Sequence, residues 1–178
     1  MERYIALLRG INVSGKNKIA MSELKAGFIS LGYTSVCTYL NSGNVIFSSD
    51  ADRNILSDTI ESMITAEFKL DIPVFIILQK ELEEILNHAP DWWGDENKER
   101  YDNLILMFSP LSYEDFYNKV GNLKDEYEKE YNYKNAVFWT FIRKDYQKTN
   151  WWSKTAGSNI KDQITIRTAN TVRKIVGM

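Results

Sequence analysis

A segment near the start of the chain combines glycines, amides and cations in a way that suits the binding of an anion. Residues 9–18 read RGINVSGKNK. Glycine lets a backbone pass close to a ligand, while cations and amides supply charge and hydrogen bonds for a phosphate or a carboxylate. The segment therefore predicts a ligand-binding loop, and the alternative is a long connection whose glycines only form turns. The polar candidates in it are Arg9, Asn12, Lys16, Asn17 and Lys18.

The spacing of this loop partly matches a P-loop. Gly10, Gly15 and Lys16 stand where a P-loop has its outer glycines and its lysine, but Asn17 occupies the position of the Ser or Thr that holds magnesium. Residues 19–21 also separate the loop from the next predicted helix, whereas a P-loop runs directly from strand to helix. We therefore expect a looser anion-binding loop and no nucleoside triphosphatase of the P-loop class.

Two further segments place polar groups where a ligand could reach them. Residues 41–44 form a predicted hairpin turn, and residues 165–172 carry a cation and a capping segment ahead of a basic helix, an arrangement that favours an anion. The alternatives are an ordinary turn and an ordinary capped helix with solvated cations. The candidates from these segments, together with one lysine, are Asn41, Ser42, Gly43, Asn44, Lys154, Arg167, Asn170 and Thr171.

Residues suited to acid, base or nucleophilic catalysis are few. His88 is the only histidine, and its place at the end of a predicted helix indicates a surface residue. Cys37 is the only cysteine and lies in an apolar strand, which favours a structural thiol over a nucleophile. No spacing indicates a metal site, and we expect no cofactor.

Two tryptophan pairs, Trp92 with Trp93 and Trp151 with Trp152, lie beside charged residues. Aromatic rings near cations can stack nucleic-acid bases. We favour instead a structural role, in which the rings fill the seam between two domains.

Composition limits the function classes. A formal net charge of −2 means that nucleic-acid binding would need a local patch, and residues 143–178 offer one, with eight cations against two carboxylates and thus a local charge of +6. A single cysteine fits a reducing compartment, and neither a signal-type segment nor a membrane-spanning run is present. We therefore expect a cytoplasmic protein without membrane association.

The elements that must position these residues follow the order βαββαβ twice. Strands are predicted at 4–8, 36–40, 45–47 and 73–78, with helices at 22–31, capped by Ser22, and at 52–68. The second set has strands at 103–108, 127–133, 136–142 and 164–167, helices at 113–120 and 149–154, and a closing helix at 170–176. A short helix is predicted at 81–88 between the two sets.

This order predicts an α+β fold: a tandem duplication of two ferredoxin-like βαββαβ units with antiparallel sheets and a C-terminal helix. We expect a first unit at residues 1–79, a connecting helix and loop at 80–102, and a second unit at 103–178. Because the first strand is apolar on both faces, the sheet face away from the helices should also be covered, most simply by the second unit.

The run ALLRGINVSGKNKI at residues 6–19, followed by MSEL and YLNSGNV, resembles the uncharacterised bacterial family known as domain of unknown function 1697. The likeness is specific over residues 6–47 and extends to residues 153–154 and 165–172, where Thr168 and Ala169 replace the family's Asn-Trp pair. The resemblance implies a small intracellular α/β protein with tandem ferredoxin-like units. It implies no activity, and it singles out the same three segments.

Together these observations predict a protein that binds an anionic small molecule, such as a nucleotide, or nucleic acid, in a polar cationic cleft between the two units where the three segments converge. Two alternatives stay open. One is a metal-independent enzyme acting on a phosphorylated or carboxylated metabolite, with Lys16 or Lys154 as the stabilising cation. The other is a partner-binding structural module that uses the tryptophan pairs. The sequence indicates no oligomeric state.

Overall fold

The computed structural model describes residues 1–157 and 160–178, which form two four-stranded antiparallel sheets. The chain divides into unit 1, residues 1–83 with 175–178, and unit 2, residues 84–174. Within the described ranges, no helix has the length and apolar character that crossing a membrane requires.

Unit 1 contains one βαββαβ set. Its strands follow the order β2-β3-β1-β4, with every neighbouring pair antiparallel, which is the ferredoxin-like arrangement. The elements are β1 (Glu2–Leu8), α1 (Met21–Ser30), β2 (Thr34–Tyr39), β3 (Asn44–Ser49), α2 (Arg53–Phe68) and β4 (Val74–Leu78).

Unit 2 repeats the topology of unit 1. Its sheet order, β6-β7-β5-β8, is the same order with each strand four places later along the chain, so the predicted duplicated α+β fold is confirmed. The chain enters it within α3 (Gln79–Asn87) and continues through β5 (Arg100–Met107), α4 (Tyr113–Val120), β6 (Glu128–Tyr133), β7 (Ala136–Ile142), a 3₁₀ segment (Arg143–Lys148), α5 (Trp151–Gly157), β8 (Ile164–Thr168) and α6 (Ala169–Val176).

The apolar character of β1 is explained by burial on both of its faces. Ala6 and Leu8 belong to the core that the sheet forms with α1 and α2, around Phe28. Ile5 and Leu7, on the opposite face, are also fully buried. The expectation that both sheet faces are covered is confirmed for this strand.

The start of α1 differs from the prediction. The N-cap is Ala20, which is extended and makes no side-chain cap bond, and Ser22 lies inside the first turn. The loop sets this start, because the Ile19 N–H donates to the Asn12 side-chain oxygen at 2.9 Å just before the helix. The predicted stop at Gly32 is confirmed, since its φ of 85° and the bonds from Gly32 and Tyr33 back to Ile29 and Phe28 form a Schellman motif.

The core of unit 2 is aromatic, and Trp151 lies inside it. Its ring meets Phe116 edge-on at a centroid distance of 5.0 Å, and its indole N–H donates to the Gly121 carbonyl at 2.8 Å. The interpretation of Trp151 as a seam residue between domains is therefore wrong, because the ring packs within one unit. Its neighbour Trp152 is 41% exposed.

Helix and strand ends in unit 2 shift by a few residues from the predicted ones. Strand β5 begins at Arg100 instead of residue 103, because Arg100, Tyr101 and Asp102 already pair with β7. Helix α5 runs from Trp151 to Gly157 instead of 149–154.

Candidate anion-binding surfaces

The loop at residues 9–18 folds into a small hairpin. The Lys16 N–H donates to the Val13 carbonyl at 2.9 Å, and the two residues form a β-bridge. Ser14 and Gly15 between them both have positive φ, 49° and 77°, as a type I′ turn requires. A P-loop runs directly from a strand into a helix, whereas this loop forms a hairpin between β1 and α1. Both sheets are also antiparallel, so the fold differs from that of a P-loop nucleoside triphosphatase.

Two asparagine side chains fix the shape of this hairpin. The Asn12 side-chain NH₂ donates to the carbonyls of Ile19 and Asn41, both at 2.9 Å. The Asn17 side-chain NH₂ donates to the Gly10 carbonyl at 3.0 Å. These amide donors are therefore used inside the protein, and Asn12 joins the loop to the turn that follows β2.

The turn at residues 41–44 is packed closely against the start of the loop. Gly43 has a φ of 79°, and a Cβ atom at this position would lie 2.7 Å from the Leu8 Cβ. The Leu8 N–H donates to the Gly43 carbonyl at 2.8 Å. Asn44 is fully buried and donates to the Tyr39 carbonyl at 2.7 Å and the Ser42 hydroxyl at 3.0 Å. Loop and turn thus form one structure, which we call the unit 1 tip, residues 9–19 and 40–44.

The unit 1 tip carries exposed cations, and the segments that form it contain no carboxylates. Lys16 and Lys18 are exposed, and neither has an ion-pair partner in the part of the chain that the structure describes. Residues 9–22 and 36–49 contain no Asp or Glu. Two apolar side chains of the tip are also exposed, Val13 by 58% and Leu40 by 56%.

The other four candidates lie in unit 2, and the structure separates their roles. Arg167 is only 9% exposed, and its guanidinium donates to the Thr165 hydroxyl at 3.1 Å and the Ile166 carbonyl at 2.9 Å. The Thr171 hydroxyl is 3.0 Å from that of Thr168, which caps α6. Asn170 and Lys154 are exposed. The predicted meeting of these residues with the tip in one cleft stays a prediction.

Unit 2 also contains a cavity of about 660 Å³, which is lined at one end by Thr168, Ala169 and the predicted site residue Asn170. Its wall combines cations, carboxylates and the first residues of α6. We call it the unit 2 cavity. Its charged lining residues are Asp95, Glu96, Lys98, Arg100, Asp102, Arg143 and Arg173.

The arginines of the unit 2 cavity lie over aromatic rings. Each distance runs from the guanidinium carbon to the ring centroid. It is 4.8 Å from Arg143 to Tyr101, 5.6 Å from Arg173 to Trp93, and 5.9 Å from Arg100 to Trp92. The cavity's cations form no ion pair with any described residue. Sequence reasoning placed Arg143 and Arg173 in a basic C-terminal patch but did not group them with Lys98 and Arg100, because the four come from a loop, a strand, a 3₁₀ segment and a helix, which share no spacing.

One carboxylate of the cavity wall is incompletely satisfied. The Gly94 N–H donates to Asp102 Oδ2 at 2.8 Å. Asp102 Oδ1 is buried and accepts no hydrogen bond from the described residues. The wall therefore holds an acceptor that is not saturated.

The titratable groups elsewhere include a pair formed by Glu130 on β6 and Tyr113 on α4. Burial raises the pKa of Glu130, although the Tyr113 hydroxyl donates to it at 2.8 Å, and burial together with this carboxylate raises the pKa of Tyr113. His88 is exposed and stacks on Tyr133 at 3.9 Å, as a surface residue. Cys37 is half-buried. In the described part of the chain, no group of three or more His, Cys, Asp or Glu could hold a metal ion.

Comparison with known proteins identifies a family for this arrangement. The family model described as Protein of unknown function (DUF1697) matches residues 1–138. The chain belongs to the DUF1697 family. The match spans the whole unit 1 tip, whereas Arg143 and α6 lie beyond it.

This DUF1697 member is similar to a solved structure of the same size. That structure is the conserved bacterial protein SP0830 from Streptococcus pneumoniae, with a TM-score of 0.85 and 29% sequence identity. The similarity covers 99% of this chain and 97% of that one. A search of curated proteins finds no match.

Proposed function

We propose that this DUF1697 protein binds the phosphate group of a nucleotide-like molecule or of nucleic acid at the unit 1 tip. The observation that carries the proposal is the exposure of Lys16 and Lys18, without carboxylate partners, on a hairpin that is held in one shape. Two unpaired ammonium groups close together in sequence attract an anion and supply several hydrogen-bond donors to its oxygens.

The internal bonds of the tip favour binding. Asn12, Asn17 and Gly43 fix the loop against the turn before any ligand arrives. Binding to a pre-formed loop loses less conformational entropy than ordering a flexible one. The asparagines therefore act by positioning the cations.

The exposed apolar side chains of the tip suit a ligand that carries more than a phosphate. Val13 forms a β-bridge with Lys16 and is exposed, and Leu40, which belongs to the same tip, is exposed as well. Exposed aliphatic surface next to cations can contact a sugar or the face of a base while the phosphate is held by charge. Inorganic phosphate alone would leave this apolar surface unused.

A thermal-shift assay on the full chain tests the proposal, with AMP, short single-stranded RNA and short single-stranded DNA as probes. A ligand at a hundredfold excess over its Kd stabilises by about 2.7 kcal/mol, which raises the Tm by several degrees. We expect this shift for wild type and its loss in Lys16→Ala. Lys25→Ala, which removes an exposed lysine from α1, is the matched control and should keep it.

Measurement at two salt concentrations separates the two sources of phosphate. Nucleic-acid affinity falls steeply as salt rises because counterions are released, whereas the affinity for AMP depends less on salt. A wild-type chain that shows no shift with any probe, or a Lys16→Ala chain that keeps the full shift, overturns the assignment of the tip.

A further inference from the structure

We propose that the unit 2 cavity is a second site, which binds a small organic phosphate carrying a hydroxyl or amino group. Its volume of about 660 Å³ lies within the range of small-molecule pockets. All of its lining residues belong to unit 2. The residues that line it are therefore all different from those of the unit 1 tip.

The cations of the cavity point to a phosphate. Arg100, Arg143 and Arg173 are directed to one concave surface from a strand, a 3₁₀ segment and a helix, and Lys98 joins them from the preceding loop. Arginine offers a planar fork of N–H donors that matches phosphate oxygens. Cations that lack carboxylate partners in a concave wall also strengthen the field that an anion meets there.

Aromatic rings under the guanidinium groups restrain these side chains. Arg143 lies 4.8 Å over Tyr101, and Arg100 lies 5.9 Å over Trp92. A guanidinium stacked on a ring keeps its N–H edges available for an anion while losing part of its rotamer freedom. Arg173 has a different role, because it donates to the Gly94 carbonyl and so holds the wall of the cavity.

The first turn of α6 adds a further attraction for a negative group. Ala169 and Asn170 line the cavity at the N-terminal end of this eight-residue helix. Helix N-termini carry a partial positive charge and favour anions. The turn strengthens a site that the arginines already define.

The carboxylates of the wall indicate what else the ligand carries. Asp95, Glu96 and Asp102 stand in the same lining as the cations, so a bare anion would meet repulsion on that side. Asp102 Oδ1 lacks a donor in the described residues, and a ligand O–H or N–H can provide one. A phosphorylated sugar or nucleoside has both an anionic end and such donors.

Isothermal titration calorimetry on the full chain tests this site, with ribose 5-phosphate and AMP as probes and ribose and adenosine as their uncharged counterparts. We expect saturable binding of at least one phosphate compound and of neither counterpart. Arg143→Gln should weaken the binding by about tenfold or more, which corresponds to losing a charged hydrogen bond.

Lys144→Gln is the matched control, because it removes the same charge one residue further along and does not line this cavity. It should change the affinity less than about twofold, as expected for a solvated charge. Asp102→Asn should weaken the binding of ribose 5-phosphate and AMP, whose ribose hydroxyls can donate to Asp102. Its circular dichroism spectrum should match that of wild type.

Two results overturn the inference: no saturable binding by wild type, or equal weakening in Arg143→Gln and Lys144→Gln. Lys16→Ala, in unit 1, keeps the two proposals distinguishable. If it abolishes all binding, the cavity is not a site. If it leaves AMP binding intact and Arg143→Gln removes it, the cavity stands and the tip does not bind AMP.

Discussion

At the scale of single residues, the structure changes the meaning of the polar groups in the two recognised segments. Asn12 and Asn44 donate to backbone carbonyls, and Gly43 makes room for Leu8. Their immediate role is to shape the tip. The groups left exposed for a ligand are the lysines. Only the hydrogen bonds show that the asparagines shape the tip while the lysines remain available.

Gly43→Ala should destabilise unit 1 strongly. The alanine would have to adopt the positive φ of Gly43. Its Cβ would lie 2.7 Å from the Leu8 Cβ and 2.9 Å from the Ile11 Cδ1. We expect a loss of about 3 kcal/mol or more in the free energy of unfolding, from left-handed strain and overpacking together. Urea unfolding measures it.

Gly15→Ala is the control for this change. Gly15 also has a positive φ, 77°, but a Cβ there would meet nothing within 4 Å. Gly15→Ala should lower the free energy of unfolding by only about 1–2 kcal/mol, because the alanine must adopt the left-handed conformation. Equal losses at the two glycines would show that the close packing of Gly43 contributes nothing.

Glu130 should give unit 2 a pH-dependent stability. Burial raises its pKa above the ordinary value of 4.5, so the folded state binds the proton more tightly than the unfolded state does. Stability is then lost as the pH rises from the unfolded pKa through the raised folded pKa. Relative to wild type, Glu130→Gln should therefore become more stable as the pH rises across that window, measured by urea unfolding at a series of pH values.

Tyr113→Phe provides the second variant for this prediction. The hydroxyl of Tyr113 donates to Glu130 and lowers the carboxyl pKa against the effect of burial. Its removal should move the loss of stability to higher pH. A stability difference between Glu130→Gln and wild type that stays constant with pH would contradict the assignment.

At the scale of elements, a buried carboxylate connects β6 to α5. Glu128 is 3% exposed and accepts from the backbone N–H groups of Asn150 at 2.5 Å, Trp151 at 3.3 Å and Lys124 at 3.2 Å, and from the Trp139 indole at 3.1 Å. It satisfies N–H groups at the start of α5, which otherwise have no intrahelical partner. A strand residue thus supplements the local cap, in which the Trp152 N–H donates to the Thr149 hydroxyl at 3.3 Å.

Glu128→Ala should destabilise unit 2 by about 3–5 kcal/mol, because it leaves buried donors without an acceptor. Tryptophan fluorescence during urea unfolding reports it, since Trp139 and Trp151 are both buried. The exposed neighbour Glu126 gives the control, and Glu126→Ala should change the stability by less than about 0.5 kcal/mol. Similar losses for the two variants would remove Glu128 from this capping role.

At the scale of the whole molecule, the same topology is used twice with different chemistry. Both sheets have the same strand order, yet unit 1 carries its cations on a loop hairpin, whereas unit 2 gathers them around a cavity. A chain with a net charge of −2 can therefore present local basic surfaces. Salt dependence of binding should follow the local charge of each surface and not the net charge.

The sequence by itself determined the elements and their duplication. Apolar runs, helical periodicity and the turn residues around Asn41 are local signals, and they predicted the βαββαβ order of both units and the pairing of β2 with β3. The RGINVSGKNK loop was equally visible, because its composition is contiguous.

Only the tertiary structure decided which of these groups face solvent and which charges share a wall. Arg167 reads as a ligand-facing cation but is buried against Thr165, whereas Arg100, Arg143 and Arg173 are far apart along the chain and line one cavity. Nothing local encodes such a grouping, because it arises when strand pairing and helix packing bring distant segments together. The starts of α1 and α5 were missed for the same reason, since Asn12 and Glu128 fix them from outside the helices.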